Sequence, residues 1–315
     1  MRYAILSDVH GNYPALQKVL ADAKQRGIEN FIIAGDYALS GAWPDECIKV
    51  LQELPQKLII RGNEERYLEN LVGKDQTGWT DGQMQISYWC YRNIAPERLV
   101  YVLGLPQTVQ CVVNGVNIHV AHASDAFLGE YEFGSFGPGI LAERYANTHV
   151  TQEVLQRDIY DILNGDQVFL DKVNALEEGV YIFGHSHVQW SYKVSGKKIM
   201  LINPGSCGLP LDAIEDSIPY SILTISEEGE TSLEEVRVPF HKKEYVEELK
   251  KTTQYKEAGV WSEVIIHELL TAREHLTFFL QFANRYADEI GDHVRPFAVK
   301  TWEAAYEAWE RSLKK

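Results

Sequence analysis

An α/β fold built on a largely parallel, covered sheet is what this chain of 315 residues predicts, and three observations carry the prediction. Short apolar runs alternate with amphipathic stretches over the first 60 residues. Seven side chains suited to metal binding follow apolar runs between positions 8 and 187. After position 240 the composition turns charged and helical. The alternation implies parallel pairing, because a parallel connection needs a crossover long enough to hold a helix. Side chains that meet at strand ends stand on loops held by a rigid sheet, where chemistry is commonly placed.

In order, the pattern predicts a strand at 3–7, a helix over about 13–27, a strand at 31–34, a helix near 44–53 and a strand at 57–60. Gly27 stops the first helix, since a residue with positive φ closes a helix C-terminus most easily as glycine. Residues 64–105 turn helical and rich in Tyr and Trp. Residues 109–120 read as a hairpin around Asn114-Gly115, a dipeptide that favours a type I′ turn. Residues 124–150 have no clear period: Gly129, Gly134, Gly137, Pro138 and Gly139 stand among Tyr131, Phe133 and Phe136, as in a loop or lid beside His122. Helices at about 151–163 and 168–177 follow. Strands come next at 180–183, 188–194 and 197–202, with a turn at Ser195-Gly196, and strands near 220–226 and 232–238 are expected to finish a second sheet face.

After Phe240, the apolar positions Val260, Trp261, Val264, Ile265, Leu269 and Leu270, then Phe278, Phe279, Leu280 and Phe282, recur at spacings of three and four. They mark one buried helical face, and Pro296 separates it from a last helix around 298–313. His267 and His275 in this stretch are expected as surface or core residues, not ligands. The division expected is a domain over 1–240, with insertions at about 64–105 and 124–166, and a helical extension over 241–315 that packs on the sheets or on a second subunit.

The net charge of −15 repels polynucleotide phosphates and anionic lipid, whose recognition needs clustered Lys and Arg. A long nucleic acid or a membrane is therefore not an expected partner. A small phosphorylated ligand is compatible, because bound cations reverse the local field. Cys47, Cys90, Cys111 and Cys207 are far apart and show no C-x-x-C spacing, which suggests neither a zinc site nor a disulfide framework. With a strand opening the chain, no leader-like start and no window of about 18 apolar residues, a cytoplasmic protein is expected.

The seven candidates are Asp8, His10, Asp36, Asn63, His122, His185 and His187. They fall in Ile5-Leu6-Ser7-Asp8-Val9-His10-Gly11-Asn12, Ala34-Gly35-Asp36, Ile59-Ile60-Arg61-Gly62-Asn63, Val120-Ala121-His122 and Phe183-Gly184-His185-Ser186-His187. Singly each is weak, since an Asp-x-His arises by chance and a lone buried His is usually hydrogen-bonded core. Together, each after an apolar run, they point to one site. Oxygen and imidazole donors without a thiolate suit Mn²⁺, Fe or Zn²⁺ more than a structural zinc. Seven donors exceed one tetrahedral ion. A shared carboxylate would hold two ions about 3.5–4 Å apart, so that a bridging hydroxide attacks phosphorus while both ions neutralise the phosphoryl oxygens. Hydrolysis of a phosphate ester or anhydride is the chemistry expected.

The ordered motifs Asp8-Val9-His10, Gly35-Asp36, Gly62-Asn63, His122 and Gly184-His185-Ser186-His187 resemble the signature of the calcineurin-like metallophosphoesterases over roughly residues 1–240. Asn203-Pro204-Gly205-Ser206 looks like the loop that closes the site in the bacterial phosphodiesterase branches, among them the diadenosine tetraphosphatase-like one. The resemblance implies a four-layer α-β-β-α sandwich of two mixed sheets. It also implies two divalent or trivalent metal ions, one on Asp8, His10 and His187, the other on Asn63, His122 and His185, with Asp36 between them. Arg61 matches an arginine that contacts the substrate phosphate in phosphatase members, and it can equally be an arginine paired with a neighbouring carboxylate. Gly11 would allow a sharp turn after His10, and Gly184 a close backbone approach beside His185. Asn12 either orients substrate or holds that turn.

One departure bears on substrate. Many members follow Gly-Asn with a His that protonates the leaving group, whereas this chain has Glu64 and Glu65. A general acid contributes about 10²–10⁴-fold, so without one the favoured leaving groups depart as stable anions. Glu64 could replace it if burial or Glu65 raised its pKa. The leading expectation is a phosphodiesterase or phosphoanhydride hydrolase of small, nucleotide-like substrates, dinucleoside polyphosphates above all. Tyr88, Trp89, Tyr91, Tyr131, Phe133 and Phe136 are candidates to stack a base, or else core. The alternatives are a serine/threonine-type protein phosphatase and a non-catalytic scaffold that binds a protein through the C-terminal helices, which could equally join two copies of the chain.

Overall fold

The computed structural model describes residues 1–129, 131 and 137–314. The opening alternation is realised as β1 (Arg2–Leu6), α1 (Tyr13–Gln25), β2 (Asn30–Ile33), α2 (Pro44–Glu53) and β3 (Gln56–Ile59). Gly27 closes α1 with φ 68°, its amide donating to Lys24. Then come α3 (Glu64–Glu69), a 3-10 turn (Gln76–Gly78), α4 (Gln85–Asn93) and α5 (Pro96–Leu103). The hairpin is β4 (Thr108–Val113) and β5 (Val116–Ala121), with Asn114 and Gly115 both at positive φ as a type I′ turn requires. The stretch expected as a loop contains two short helices, α6 (Asp125–Leu128) and α7 (Pro138–Arg144). A proline at the start of α7 fixes φ for the first turn. Phe133, Gly134 and Phe136 lie outside the described residues.

The chain continues through α8 (Gln152–Gly165), α9 (Gln167–Asn174), β6 (Gly179–Ile182), β7 (Gln189–Lys193), β8 (Ile199–Pro204), β9 (Ser217–Ile225) and β10 (Thr231–Pro239). The remaining helices are α10 (Lys242–Leu249), α11 (Thr253–Ala258), α12 (Val260–Thr271), α13 (Leu276–Glu289) and α14 (Val299–Leu313).

Two five-stranded sheets result, in the orders β10-β9-β1-β2-β3 and β4-β5-β6-β8-β7. Both are mixed, not largely parallel. β1 pairs parallel with β2 and antiparallel with β9, while β6 lies parallel to both β5 and β8. β9 and β10 complete the first sheet and not the second, because β9 returns antiparallel along β1.

Strand periodicity then builds four layers. Along β1, Tyr3 and Ile5 enter a core between the sheets, together with Ile32, Val120, Ile182 and Ile202, while Ala4 and Leu6 face the other way into the core beneath α1 and α2. Along β6, Val180 and Ile182 join the inter-sheet core, and Tyr181 packs outward with Leu155, Ile159 and Phe169 of α8 and α9. The C-terminal helices extend the first outer layer. Tyr245, Val246, Leu249, Ile265, Ile266 and Leu269 share a core with Leu16, Val19 and Ile33, while Phe279, Trp302 and Trp309 form a further cluster with Val260 and Val264. Within it His267 and His275 pack on Trp309, and His275 Nε2 meets Thr271 Oγ1 at 3.0 Å. Among the described residues no helix is long and apolar enough to cross a membrane.

Candidate metal centre

All seven sequence candidates converge at the ends of strands from both sheets. Asp8 and His10 follow β1, Asp36 follows β2, and Asn63 stands on the loop after β3. Across the seam His122 follows β5, and His185 and His187 follow β6. Asp8, His10 and His187 offer donor atoms that all lie within 4.8 Å of one another, and so do Asp36, His122 and His185. Asp36 also forms such a group with His10 and Glu64, which places it between the two triads. Asn63 Oδ1 and Asp36 Oδ2 approach His122 Nε2 to 2.9 and 3.1 Å. His10 Nε2 and His187 Nε2 face each other at 2.9 Å, with Asp8 Oδ1 at 4.0 and 3.6 Å.

The backbone is bent to aim these side chains. Asp8, His10, Asp36, His185 and His187 all have φ between 51° and 68°, the left-handed region that non-glycine residues rarely adopt. The loops are tied together to hold it. Val9 N donates to Asp36 O at 2.7 Å, Gly184 N to His122 O at 2.8 Å, and His185 N to the Asp8 carboxylate at 3.0 Å. Gly11 turns the chain after His10 at φ 65°. At Gly184 a Cβ would stand 1.9 Å from Ser7 Oγ and 2.5 Å from Asp8 Oδ2, so only glycine fits. Asn203 Nδ2 donates to Gly184 O, and Ser206 Oγ donates to Asp8 O, which gives the Asn203–Ser206 loop a bracing part. Asn12 caps α1 and donates to Gly208 O, holding the turn after His10.

Backbone carbonyls fix two of the histidine rings. His122 Nδ1 lies 2.6 Å from Ala34 O and His187 Nδ1 2.8 Å from Leu209 O, so each presents Nε2 to the site. His10 Nδ1 stands 2.9 Å from Glu64 Oε2, a contact that satisfies the distance of a hydrogen bond but not its angle. Sequence reasoning missed Glu65. Fully buried, it accepts from the amides of Gly62 (2.7 Å), Tyr37 (2.9 Å) and Asp36 (3.3 Å), and so sets the loops that carry Asp36 and Asn63. A charged residue type gives no sign of such burial in the sequence.

Close packing of titratable groups without a cation produces opposed shifts. Burial, with Asp36 nearby, pushes Asp8 up to about 6 against the pull of His122 and His10. Burial disfavours ionisation of Asp36 too, but His122, His10 and the Glu64 amide hold it below the ordinary range. Burial opposes the charge on His122, yet Asp36, Asp8 and the Ala34 carbonyl raise it to about 10. Burial and His10 push His187 well below its usual value. Burial, Asp36, Glu65 and Asp8 drive Glu64 well up, and burial with Asp36 takes Glu65 to about 7. His10 Nδ1 and Glu64 Oε2 are buried without hydrogen bonds. Converging imidazole nitrogens and carboxylates of this kind fit a pair of cations, which would replace the protons that the cluster otherwise shares.

Two cavities adjoin the cluster. One, of about 400 Å³, is lined by His10, Asp36, His187 and Glu64 on one side and on the other by Ile265, Glu268 and Leu276 of the C-terminal helices and by Glu274 between α12 and α13. The second, of about 330 Å³, is lined by Arg61, Arg66, Gln107, Thr108, His122 and Asp125. Asn63 and His185 line both. A further cavity, of about 920 Å³ beside Lys193 to Lys198, touches none of the seven. Arg61 Nη1 bonds Glu69 (3.1 Å) and Leu103 O (3.2 Å), the paired arrangement that the sequence left open. Tyr88 stacks on Trp79, Trp89 Nε1 donates to Thr253, Tyr91 meets Trp79 edge-on and Tyr131 packs on Phe169. All four thus serve packing and line neither cavity.

A family model described as the calcineurin-like phosphoesterase superfamily domain matches residues 1–228. The chain is 26% identical over 265 residues to the uncharacterised protein MJ0912 of Methanocaldococcus jannaschii, covering 79% of this chain and 91% of that one. Its fold is similar to that of a metallophosphoesterase from Sphaerobacter thermophilus (TM-score 0.56, 20% identity, 86% of this chain and 100% of the other). It is also similar to hypothetical protein PH1004 from Pyrococcus horikoshii (TM-score 0.58, 17% identity, 87% and 99%). The site and the fold define a metal-dependent phosphoesterase. The chain belongs to the calcineurin-like phosphoesterase superfamily.

Proposed function

We propose that this protein hydrolyses small phosphodiesters or phosphoanhydrides, with dinucleoside polyphosphates as the favoured class, at two metal ions drawn from Mn²⁺, Fe and Zn²⁺. The observation that carries the reading is the pair of donor triads with Asp36 between them, beside a cavity that the C-terminal helices cover. Two ions held there would neutralise the phosphoryl oxygens and lower the pKa of water. Asp8, His10 and His187 would hold one ion, and Asn63, His122 and His185 the other, with Asp36 shared. His122 and His187 are kept in register by their carbonyl partners. No histidine follows Asn63 to protonate a leaving group, and Glu64 Oε2 lies 2.9 Å from His10 Nδ1. Substrates whose leaving group departs as a stable anion are therefore favoured over phosphoserine or phosphothreonine. The helices over the cavity also favour a small substrate over a protein loop.

Mn²⁺-dependent hydrolysis of bis-p-nitrophenyl phosphate, diadenosine tetraphosphate, a cyclic dinucleotide and a phosphopeptide tests this. The Asp36→Asn variant keeps a residue type that tolerates positive φ while weakening the shared ligand. Expected are a preference for the anhydride or the activated diester, and a loss of at least about 10³-fold in kcat in the variant, comparable to removing a principal electrostatic group. A preference for the phosphopeptide, or wild-type turnover in Asp36→Asn, would refute the reading.

A further inference from the structure

The two cavities that meet at Asn63 and His185 differ in character. On the side covered by α12 and α13 the wall is apolar, through Ile140, Leu211, Ile265 and Leu276, and besides the ligand candidates its acidic members are Glu64, Glu268 and Glu274. A phosphate placed there would be desolvated without a guanidinium or ammonium partner among the described residues. The opposite side carries Arg61 and Arg66, with the hydroxyl and amide groups of Thr108 and Gln107.

Arg66 is exposed and takes part in no ion pair among the described residues. Arg61 is 13% exposed and held from behind by Glu69 and Leu103, while its Nε donor is buried without a partner. Asp125 stands on the same wall. Arg61 is thus matched by Glu69 at a partly solvated pair, while Arg66 is left without a carboxylate partner and shares the wall with Asp125.

We propose that the Arg61–Arg66 cavity is an anion subsite for a second phosphoryl group of the substrate. The polarity orients the substrate: a further phosphate extends toward the arginines, and the neutral, apolar substituent lies beneath the C-terminal helices. This rests on the phosphoesterase reading and adds a direction to it. Guanidinium forks match phosphoryl oxygens in pairs, which suits a phosphoanhydride better than a diester with two neutral arms.

The test is the ratio of kcat/KM for diadenosine tetraphosphate to that for bis-p-nitrophenyl phosphate, with Mn²⁺, in wild type, Arg66→Ala and Arg66→Glu. Because Arg66 is exposed, both variants should fold, and thermal melts and Mn²⁺ titration confirm it. A charged hydrogen bond contributes enough that the ratio should fall about tenfold or more in Arg66→Ala, mainly through KM, and further in Arg66→Glu. A ratio within about twofold of wild type in both variants would overturn the subsite and leave the hydrolase reading intact. So would a wild type that cleaves the diester and ignores the polyphosphate. A folded, metal-loaded wild type silent on both substrates would refute the hydrolase reading and the subsite with it.

Discussion

Glu65 binds the amides of Gly62, Asp36 and Tyr37 with one carboxylate and so fixes two of the loops that end in candidate ligands. Each buried amide left without an acceptor costs about 1–3 kcal/mol, so Glu65→Ala should lower unfolding stability by about 3 kcal/mol or more and weaken Mn²⁺ binding. Glu65→Gln, which keeps one acceptor oxygen, should lose less. Denaturant melts and metal titration read both effects, and an Ala variant as stable as wild type would mean those amides have other acceptors. The convergence of the seven ligand candidates was legible in the sequence because Asp, Asn and His recur together, each just past an apolar run, although singly each is weak. Glu65 was not legible, because only burial distinguishes it from a solvated glutamate. Arg61 stayed ambiguous because its partner Glu69 is a helical turn and a loop away and only the fold brings the two together.

The α12–α13 corner shows the same contrast for whole elements. Helical spacing disclosed one buried face over this stretch but not the break that divides it into two helices. In the fold Ala272 takes a left-handed φ of 52°, Arg273 donates to Tyr145 O at 2.9 Å, and Glu268 caps α13 by accepting from the amides of His275 and Leu276. Burial, and Glu274 beside it, raise the Glu268 pKa well above its ordinary value. A carboxyl raised in the folded state contributes stability below its unfolded pKa of about 4.3, and that contribution fades as pH rises through the folded value. Glu268→Gln keeps an oxygen for the two amides and cannot titrate. Its melting temperature should therefore fall less than that of wild type between about pH 5 and pH 8. Parallel pH profiles would show that the Glu268 proton is not linked to folding. The sheets were half legible: alternation gave the strands, whereas the antiparallel return of β9 onto β1 depends on pairing partners more than 200 positions apart, which local pattern cannot show.

At the scale of the molecule, the change in composition near position 240 marks where the helices begin but not where the core ends. Tyr245, Val246, Leu249, Ile265, Ile266 and Leu269 share one apolar cluster with α1 and the first sheet. A fragment of residues 1–240 would expose that cluster, and we expect it to aggregate or to melt without cooperativity, as gel filtration and calorimetry would show. A monomeric fragment with a sharp transition would establish instead that the extension is dispensable. The cluster of seven has a consequence of another kind, because each triad draws on both sheets. Asp8, His10 and Asp36 are made early in the chain, but His122, His185 and His187 come from the second sheet. A chain emerging from the ribosome therefore lacks His187 of one triad and His185 of the other until more than half of it is made. Ions held by these triads would be captured tightly only after position 187 has emerged and the sheets have docked, and would then clamp the two halves of the sandwich together.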